Sequence, residues 1–404
     1  MSVLFYYFLQ VTRTRLMPDC ALREETHYLS MVVLLAVLLL LSYGAGHIHC
    51  STVRHGNRTE VHSLLEFKAA TNDPTGALRS WNRRVHYCNW TGVTCSSMKP
   101  GRVIALRLPG QSLSGEITPS IGNLTYLKAL NLSSNGFSGQ LPPLNLLHEV
   151  IHLELSSNSF HGIIPDSLMN CSNLKLLNLS SNGFSGLLPP LNLLHELVLL
   201  DLSSNSFQGT IPDSLMNCSN LEGVDLSRNM LEGPIPEEIG SLYNLIALNI
   251  SRNNLSGIIP PTISNATQLQ LLNLQENQLG GSVPGELGKL SNMFSLGFGD
   301  NWLSGPVPPS IFNLTGLGVL DGHLNMLRMA LPLNICETLP NLRILILGGT
   351  MLDGHIPASL GNCTMLQVMD LSNNSLIGEI PSFGKLLSLA RLYLESNNLQ
   401  GVIP

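Results

Sequence analysis

The chain repeats one pattern of hydrophobic and polar positions from Val103 to its end. An aliphatic residue takes the first, fourth and sixth places, asparagine takes the ninth, and a Leu/Phe-x-Gly-x-Ile-Pro phrase follows. In the segment 221–244 the three aliphatic places hold Leu221, Val224 and Leu226. The period is 23 to 25 residues, and the last unit is cut short. The thirteen units begin at Val103, Leu127, Val150, Leu174, Leu197, Leu221, Leu245, Leu269, Met293, Leu317, Leu342, Leu366 and Leu389.

This residue pattern and its period resemble the leucine-rich repeat, in which stacked units form a curved solenoid. In that fold the first, fourth and sixth places face the core, and the second, third, fifth, seventh and eighth places line a concave wall. We therefore predict a leucine-rich-repeat solenoid, an α/β-type right-handed superhelix, over residues 103–404. Parallel strands lie about 4.8 Å apart, so thirteen of them extend over roughly 60 Å. A wall of that length displays surface, which makes binding the first functional hypothesis.

The ninth place holds asparagine in eleven of the thirteen units, and Gln111 and Thr350 are the exceptions. A buried side-chain amide needs hydrogen-bond partners. We expect each asparagine to bond the backbone of its own turn and of the neighbouring unit, so that a polar ladder links the units.

Residues 51–102 precede the first unit and do not follow its pattern. Four apolar residues recur there at helical spacing, and an Asn-Asp-Pro sequence ends the helix. These four are Val61, Leu64, Leu65 and Ala69. Trp81 and Trp90 follow them. Because the first unit of a solenoid would expose an apolar edge, we predict that this segment is a helical N-terminal cap.

Residues 1–50 contain a run from Leu29 to Ile48 without Lys, Arg, Asp or Glu. Its apolar centre is followed by Gly44, Ala45 and Gly46, as in a secretory signal peptide with a cleavage site near Gly46. About 20 uncharged residues also suffice to span a bilayer, so a retained signal anchor is the alternative. Either segment directs the chain into the secretory pathway.

The charge of the chain and its lack of catalytic motifs exclude two functional classes, nucleic-acid binding and catalysis. Charged residues make up 12% of the chain and the net charge is -6, which leaves no basic surface for nucleic acid. His148-Glu149-x-x-His152 matches the zinc-protease motif, but that motif requires a helix and Val150 here begins a strand. The sequence has no phosphate-binding loop and no nucleophile elbow. We expect no enzymatic activity, no metal and no cofactor.

Eight cysteines in a secretory context make disulfides possible. We predict one between Cys88 and Cys95 in the cap. Three others occupy the same convex-side place in units three, five and eleven, and we expect them to be small buried thiols. They are Cys171, Cys218 and Cys363. Because Cys336 lies in the unit next to Cys363, pairing of these two is the alternative.

Thirteen Asn-x-Ser/Thr sequons occur, a density typical of a glycosylated extracellular domain. Our predicted glycosylation sites are Asn57, Asn89, Asn123, Asn170, Asn217, Asn265, Asn313 and Asn362. Glycans at Asn131, Asn178 and Asn249 would stand on the concave wall and disfavour ligand docking at units two, four and seven.

Three segments resemble the N-terminal cap of plant leucine-rich-repeat receptors. They read Leu64-Leu65-x-Phe67-Lys68, Asp73-Pro74-x-Gly76-x-Leu78-x-Ser80-Trp81 and Cys88-x-Trp90-x-Gly92-Val93-x-Cys95. The Gly-x-Ile-Pro phrases at 257–260 and 354–357 are similar to the plant-specific repeat class. Two further phrases are similar to the immune receptor-kinase subgroup, namely Asn362-Cys363-Thr364 and Leu339-Pro340-Asn341-Leu342. The resemblance covers residues 61–404.

The resemblance implies a module that binds a peptide or protein on its concave side and recruits a co-receptor with its own leucine-rich-repeat ectodomain. In that family a cytoplasmic kinase relays the signal, whereas this sequence contains no kinase motif. We expect membrane association through the N-terminal segment or a part beyond Pro404, a location at the plasma membrane or in the apoplast, and a role in defence or developmental signalling. The alternative is a secreted inhibitor of a cell-wall-degrading enzyme, similar to the polygalacturonase-inhibiting proteins.

The concave places of units three to ten carry more acidic than basic residues. The acidic ones are Glu154, Asp201, Glu222, Asp225, Glu276, Asp300 and Asp321, and the basic ones are Lys175, Arg228 and Arg252. This balance is either that of a solvated strand face or that of a wall favouring a basic peptide. We predict the ligand site at units six to nine, where charges of both signs lie beside one aromatic ring. Its residues are Arg228, Arg252, Gln270, Asn273, Glu276, Phe294 and Asp300.

Overall fold

A computed structural model describes residues 58–144 and 146–402 of the chain. The predicted signal peptide or anchor and the sequon at Asn57 lie outside these described residues. Within them, no helix combines the length and the apolar character needed to cross a membrane.

Each unit contributes one strand to a parallel concave sheet. The sheet begins with Val93–Cys95, which pairs antiparallel with Val103–Arg107. The strands that follow are Ala129–Asn131, His152–Glu154, Leu176–Asn178, Leu199–Asp201, Gly223–Asp225, Ala247–Asn249, Leu271–Asn273, Ser295–Gly297, Val319–Asp321, Ile344–Ile346, Val368–Asp370 and Arg391–Tyr393. Neighbouring strands pair place for place, for example Leu200 with Val224. Because the register never shifts between units two and thirteen, each place of the repeat forms a column along the stack.

A second, lateral set of strands covers the tenth to fourteenth places. One sheet runs through Thr71–Asn72, Ser114–Glu116, Gly136–Gly139, Ser159–Gly162, Gly183–Leu187, Ser206–Gly209, Met230–Pro234 and Asn254–Ser256. After unit seven the pairing narrows to a single bridge, between Ile258 and Gly280. It resumes as two smaller sheets made of Ser304–Gly305, Met326–Ala330 and Met351–Asp353, and of Ile377–Glu379 and Asn398–Gln400.

The convex side carries short helical turns. A four-residue α-helix, Ile335–Thr338, lies in unit ten. The 3-10 helices are Pro119–Asn123, Asp166–Asn170, Asp213–Asn217, Glu237–Ser241, Pro261–Asn265, Gly285–Lys289, Pro309–Asn313 and Ala358–Asn362, with one more in the cap at Tyr87–Asn89. Most begin directly after a proline, whose fixed φ suits the start of a helix.

The ninth-place asparagines form the predicted ladder. Oδ1 of Asn135 accepts hydrogen bonds from the backbone N–H groups of Gln111 and Leu113, each at 3.0 Å. Its Nδ2 donates to the carbonyl oxygens of Leu108 at 2.8 Å and Leu132 at 3.0 Å. The same pattern recurs along the stack. Each amide is thus satisfied by two neighbouring units, which confirms the expectation from the sequence.

A stack of aromatic rings fills the eleventh place in units two to five. Phe137, Phe160, Phe184 and Phe207 are fully buried, with ring centroids 6.5, 6.1 and 6.4 Å apart in that order. Phe67 of the cap extends the stack at 5.7 Å from Phe137. The cap and the first units therefore share one aromatic core.

Unit ten has Gly322 at the sixth place, where the other units have a larger core residue, and this pattern predicts loose packing. The structure shows otherwise, because Phe298 occupies the sixth place of unit nine and is fully buried. A Cβ atom on Gly322 would lie 2.5 Å from Cε2 of Phe298 and 3.3 Å from Cδ2 of Leu347. The larger ring thus fills the volume that the glycine leaves, and the core stays close-packed.

The cap begins with helix α1, Arg58–Ala70, as predicted. Of the four residues proposed for its apolar face, only Leu64 is fully buried, and Phe67 is the second core residue of the helix. The spacing from Leu64 to Phe67 places both on one face. Beyond the helix, the buried rings of Trp81 and Trp90 stack with centroids 5.4 Å apart.

The structure settles the cysteine pairing. Cys88 and Cys95 form the predicted disulfide, with Cα atoms 5.4 Å apart. Cys363, expected as a thiol, is instead bonded to Cys336, with a Cα separation of 5.1 Å. That expectation was wrong because the convex helices of units ten and eleven lie side by side and bring the two residues within bridging distance. Cys171 and Cys218 are free and buried, and burial raises the pKa of each thiol to about 11.

Candidate ligand-binding wall

The eighth place lies in the turn after each concave strand and has a fixed, unusual conformation. Arg228, Arg252, Glu276 and Asp300 all have φ between 54° and 57°, a left-handed value that is uncommon outside glycine. Backbone hydrogen bonds to the next unit hold them there, for example from the N–H of Arg228 to the carbonyl of Ser251 at 2.9 Å. The column therefore presents two cations followed by two anions on a rigid backbone.

The two central charges of this column pair with each other. Nε and one terminal nitrogen of Arg252 each lie 2.5 Å from Oε1 of Glu276. Both side chains are more than a third exposed, so the pair itself adds only about 0–1 kcal/mol to stability. Its main effect is to fix two predicted ligand-binding residues in one orientation.

Arg228 has no such partner. Its Nε atom is covered by the protein and forms no hydrogen bond within the described residues. Burial and the neighbouring charge of Arg252 lower the pKa of Arg228, and Glu276 opposes them. A covered donor beside a like charge is an unfavourable arrangement that an added acceptor would relieve.

Phe294 lies half-buried on the wall at the second place of unit nine. A Cβ atom on Gly318, at the same place in unit ten, would lie 2.6 Å from Cε2 of the Phe294 ring. The ring thus rests on the backbone of the next unit, and the glycine is what makes room for it. An aromatic side chain held in this way loses little freedom when a ligand contacts it.

A hydrogen-bonded network that the sequence did not predict spans units eight to ten. Nε2 of Gln275 donates to Oδ2 of Asp321 at 2.5 Å, across unit nine. Nδ1 of His323 lies 2.6 Å from Oδ1 of the same carboxylate, and this bond raises the pKa of His323 against the effect of burial. A Cβ atom on Gly299 would meet His323 at 2.2 Å, and one on Gly297 would meet Gln275 at 3.2 Å. Gly297 and Gly299 are the sequence feature from which this network could have been predicted, since a glycine leaves space for a longer neighbouring side chain.

The edge of the wall carries an exposed apolar cluster in units nine to eleven, which we call the rim cluster. It consists of Trp302, Leu324, Met326 and Met351. Trp302 is 59% exposed at the tenth place, where most other units have a small or polar residue. This departure from the repeat was readable in the sequence. Exposed apolar groups next to a polar wall are typical of interaction sites.

The other predicted site residues fall on the same wall. Gln270 and Asn273 are half-buried in unit eight, and Asp300 is exposed in unit nine. Oδ1 of Asn273 accepts the backbone N–H of Gln275 at 3.2 Å, so its side chain is partly committed to the turn. The structure brings Arg252 and Glu276 together but gives Arg228 no carboxylate partner.

The negative charge of the wall is smaller than the sequence indicates. Asp225 is 1% exposed, and Asp201 and Asp321 are also buried. Burial and the adjacent Asp201 raise the pKa of Asp225 to about 7, so this carboxyl is partly protonated near neutral pH. These acids belong to a fifth-place hydrogen-bonded column and are not available to a ligand in the way their positions in the repeat suggest.

The structure also bears on the zinc-protease motif and on the sequon at Asn249. His152 lies on a strand, while His148 and Glu149 lie in the turn before it, so the residues of the protease motif do not share a helix face. No group of three or more metal-ligating side chains occurs in 58–144 or 146–402. Asn249, which was not among the predicted glycosylation sites, is 2% exposed and its Nδ2 donates to Asp225 at 3.0 Å, so a glycan on the wall of unit seven has no room in the folded chain.

Comparisons with known proteins match this architecture. Residues 57–96 match the leucine-rich-repeat N-terminal domain. Eight segments match the leucine-rich repeat itself: 126–145, 149–171, 173–192, 196–218, 220–242, 244–266, 268–290 and 365–386. The chain belongs to the leucine-rich-repeat family. Its cap and repeats are those of plant leucine-rich-repeat receptor ectodomains.

The chain covers only part of the length of the following similar proteins. The chain is 46% identical over 91 residues to the receptor-like serine/threonine-protein kinase EFR of Arabidopsis thaliana, which is 22% of this chain and 9% of that protein. Among solved structures, the ectodomain of the Arabidopsis thaliana receptor kinase GASSHO1/SCHENGEN3, in complex with CASPARIAN STRIP INTEGRITY FACTOR 2, has 37% identity and a TM-score of 0.77, over 85% of this chain and 44% of that one. The Arabidopsis receptor kinase HAESA, in complex with the peptide hormone IDA and the co-receptor SERK1, has 29% identity and a TM-score of 0.69, over 85% and 66%. This leucine-rich-repeat fold is one that receptors use to bind ligands and not a catalytic fold.

Proposed function

We propose that this chain is the extracellular recognition module of a plant cell-surface receptor, which binds a peptide or a protein segment along the concave wall of units six to ten. Arg228 is the observation that carries the proposal. Of the buried side-chain nitrogen and oxygen atoms without a partner in the described residues, its Nε is the one on the concave wall. A covered, unpaired donor costs about 1–3 kcal/mol, which the side chain would recover by turning its guanidinium towards a ligand oxygen.

The order of charges favours one orientation of the ligand. Because Arg252 and Glu276 neutralise each other, the column reads as a cation at Arg228 and an anion at Asp300. Three steps between adjacent strands separate these units, a distance of about 14 Å. An extended chain covers that distance with roughly four residues. We infer a ligand with a carboxylate or carbonyl near unit six and a basic group near unit nine.

The aromatic residues supply the second element of the site. Phe294 rests on Gly318, and Trp302 of the rim cluster lies nearby in sequence on the edge of the same unit. Large rings that are already fixed in place are frequent hot spots of protein interfaces. We infer that an apolar side chain of the ligand contacts unit nine.

The partners and location follow by analogy with the similar receptors. The structure of HAESA contains a peptide hormone and the co-receptor SERK1, and GASSHO1/SCHENGEN3 was solved with a bound factor. We propose that this chain likewise takes a peptide or protein ligand together with a leucine-rich-repeat co-receptor at the extracellular side of the plasma membrane. A role in defence or in developmental signalling is part of the same proposal.

A secreted inhibitor of a cell-wall-degrading enzyme remains the alternative function. The receptor proposal is favoured because the similar proteins named above are receptor kinases. Reading the transcript beyond the codon of Pro404 separates the two: a membrane-spanning segment followed by kinase motifs supports the receptor, whereas a stop codon soon after a terminal cap supports the inhibitor.

Binding by the wall is tested with a displayed peptide library selected on the full chain. For the peptide with the highest affinity, Phe294→Ala and Arg252→Ala should each weaken binding roughly tenfold or more. Tyr243→Ala and Arg328→Ala are matched controls, since both residues are exposed away from the concave wall. The melting temperature of all four variants should stay close to that of the wild type. If the controls weaken binding and the wall variants do not, the proposed site is wrong.

A further inference from the structure

The lateral face of units three to seven carries an apolar stripe at the fourteenth place, the residue between the glycine and the Ile-Pro of each repeat. Ile163, Leu187 and Ile258 are 66%, 70% and 55% exposed. Thr210 and Pro234 occupy the same place in the two units between them. Ile163 and Leu187 are neighbours in this column, and Pro234 and Ile258 form a second apolar pair beyond Thr210.

The glycines of the repeat hold these side chains in place. The glycine at the thirteenth place has a positive φ in each of these units, 77° at Gly209 for example. A Cβ atom on Gly209 would lie 2.5 Å from Cδ2 of Leu187, and one on Gly281 would lie 3.0 Å from Cγ2 of Ile258. Each stripe residue therefore rests on the glycine of the following unit, so the stripe is fixed before any partner arrives.

Between units five and seven the stripe borders a groove of about 450 Å³. Its apolar lining comes from Pro234, Pro236, Ile258 and Pro260, together with Thr210 and Ile211. The charged residues of the lining are all acidic: Asp213, Glu237 and Glu238. All three are exposed, so they are accessible to a partner at the edge of the groove.

The surroundings of the groove have a single sign of charge. Units five to seven, residues 197–268, contain no lysine and no histidine, and their two arginines are Arg228 and Arg252 at the eighth place of the concave wall. Glu232 adds a fourth exposed carboxylate on the lateral strand of unit six. An apolar groove in a negative field attracts a cationic partner and disfavours an acidic one.

We propose that this lateral groove is a second docking surface, which binds a segment of a protein partner that presents Lys or Arg beside aliphatic side chains. The aliphatic groups contact the prolines and Ile258, and the cations lie against Glu237, Glu238 and Asp213. The groove is formed by the fourteenth to eighteenth places, whereas the concave site uses the second to eighth. Binding at the groove is therefore independent of the concave ligand and goes beyond the recognition function proposed above.

The test uses the full chain and three fluorescein-labelled peptides of twelve residues, each acetylated and amidated. One combines Lys, Ile and Pro, the second has Glu in place of Lys, and the third has Ser in place of Ile. Fluorescence anisotropy should show binding of the first peptide, at least tenfold weaker binding of the other two, and weaker binding of the first at high salt. Absence of binding by the Lys/Ile/Pro peptide, or equal binding of the Lys/Ser peptide, would overturn the proposal.

Substitutions in the groove test whether the Lys/Ile/Pro peptide binds there. The double substitution Glu237→Lys with Glu238→Lys, and separately Ile258→Ser, should each weaken the Lys/Ile/Pro peptide at least tenfold. Glu286→Lys is the matched control for the single variant Glu238→Lys, because Glu286 holds the place of Glu238 two units further along and outside the groove. Equal losses in Glu286→Lys and Glu238→Lys would show a diffuse charge effect and refute the site. A photoreactive benzophenone on the peptide gives a measurement on the unmodified chain, where crosslinks must map to residues 210–260.

Discussion

Units two to five and units six to ten share one repeat but differ in the residues at its core and wall places. In the first group the eleventh place holds four stacked phenylalanines and the eighth place is always serine, from Ser134 to Ser204. In the second group the eleventh place is leucine, and the eighth place holds Arg, Arg, Glu, Asp and Leu in turn. Core places and wall places thus vary independently, because the eighth place lies in the turn after the concave strand whereas the side chain of the eleventh place is buried in the core. The first group is the more regular in its core, and the second is the more varied on its surface.

The largest expected effect comes from breaking the aromatic stack. Phe160→Ala removes a fully buried ring between two others and should lower the free energy of unfolding by about 3–5 kcal/mol. Guanidinium unfolding followed by tryptophan fluorescence measures it, with Trp81 and Trp90 reporting on the cap and Trp302 on unit nine. Leu255→Ala, at the same place in unit seven, is the control and should cost less. Equal costs would mean that the stack adds nothing beyond ordinary burial.

A disulfide joins unit ten, where the repeat of the second group is least regular, to unit eleven. The Cys336–Cys363 disulfide closes a segment of 27 residues, and replacing both cysteines by alanine should lower stability by about 3 kcal/mol. Cys218→Ala, which removes a buried free thiol in unit five, should cost distinctly less. Peptide mapping under non-reducing conditions checks the pairing directly. Recovery of Cys336 as a free thiol in secreted protein would contradict it.

The boundary between the two groups has a predicted pH dependence. The pKa of Asp225 is raised to about 7 from 3.8, so the folded chain keeps a proton that the unfolded chain releases. The contribution of this group to stability is complete below pH 4 and is lost as the pH rises from about 4 to 7. Asp225→Asn should remove this pH dependence, because the amide does not titrate.

An asparagine at 225 can still accept the N–H of Ser227 through Oδ1, as Asn249 accepts the N–H of Ser251. It loses the bond that Oδ2 of Asp225 accepts from Nδ2 of Asn249, and this loss lowers stability at every pH without changing the shape of the pH profile. Asp370→Asn in unit twelve is the control, because Asp370 is half-buried and its facing neighbours, Ile346 and Tyr393, are not carboxylates. Parallel pH profiles for wild type and Asp225→Asn would show that the carboxyl is not perturbed.

The smallest effect concerns glycosylation of the wall. Asn249 bonds both Asp225 and Ser251 and should carry no glycan, whereas Asn265 on the convex side of the same unit is exposed and should be modified. Glycopeptide mapping of protein secreted from plant cells compares the two sequons in one digest. A glycan at Asn249 would show that this part of the wall folds differently.

The sequence by itself determined the register of the solenoid. Because every place repeats, a leucine that is buried once is buried in almost every unit, and the ninth-place asparagine meets the same backbone groups each time. The cap helix, the Cys88–Cys95 bond and the unit assignment of Phe294 follow from the same local patterns. These features depend on contacts within a unit or between identical places, so they can be read from periodicity.

Tertiary structure decided how unlike side chains of adjacent units meet. The pairing of Arg252 with Glu276, the burial of Asp225, the reach of Gln275 over Gly297 and the filling of the Gly322 position by Phe298 all depend on the lengths and rotamers of two or three neighbours. The Cys336–Cys363 bond and the acidic lateral groove arise in the same way, from residues at different places of the repeat. A periodic pattern fixes which backbones are neighbours, but only the packed structure shows which side chains fill the space between them.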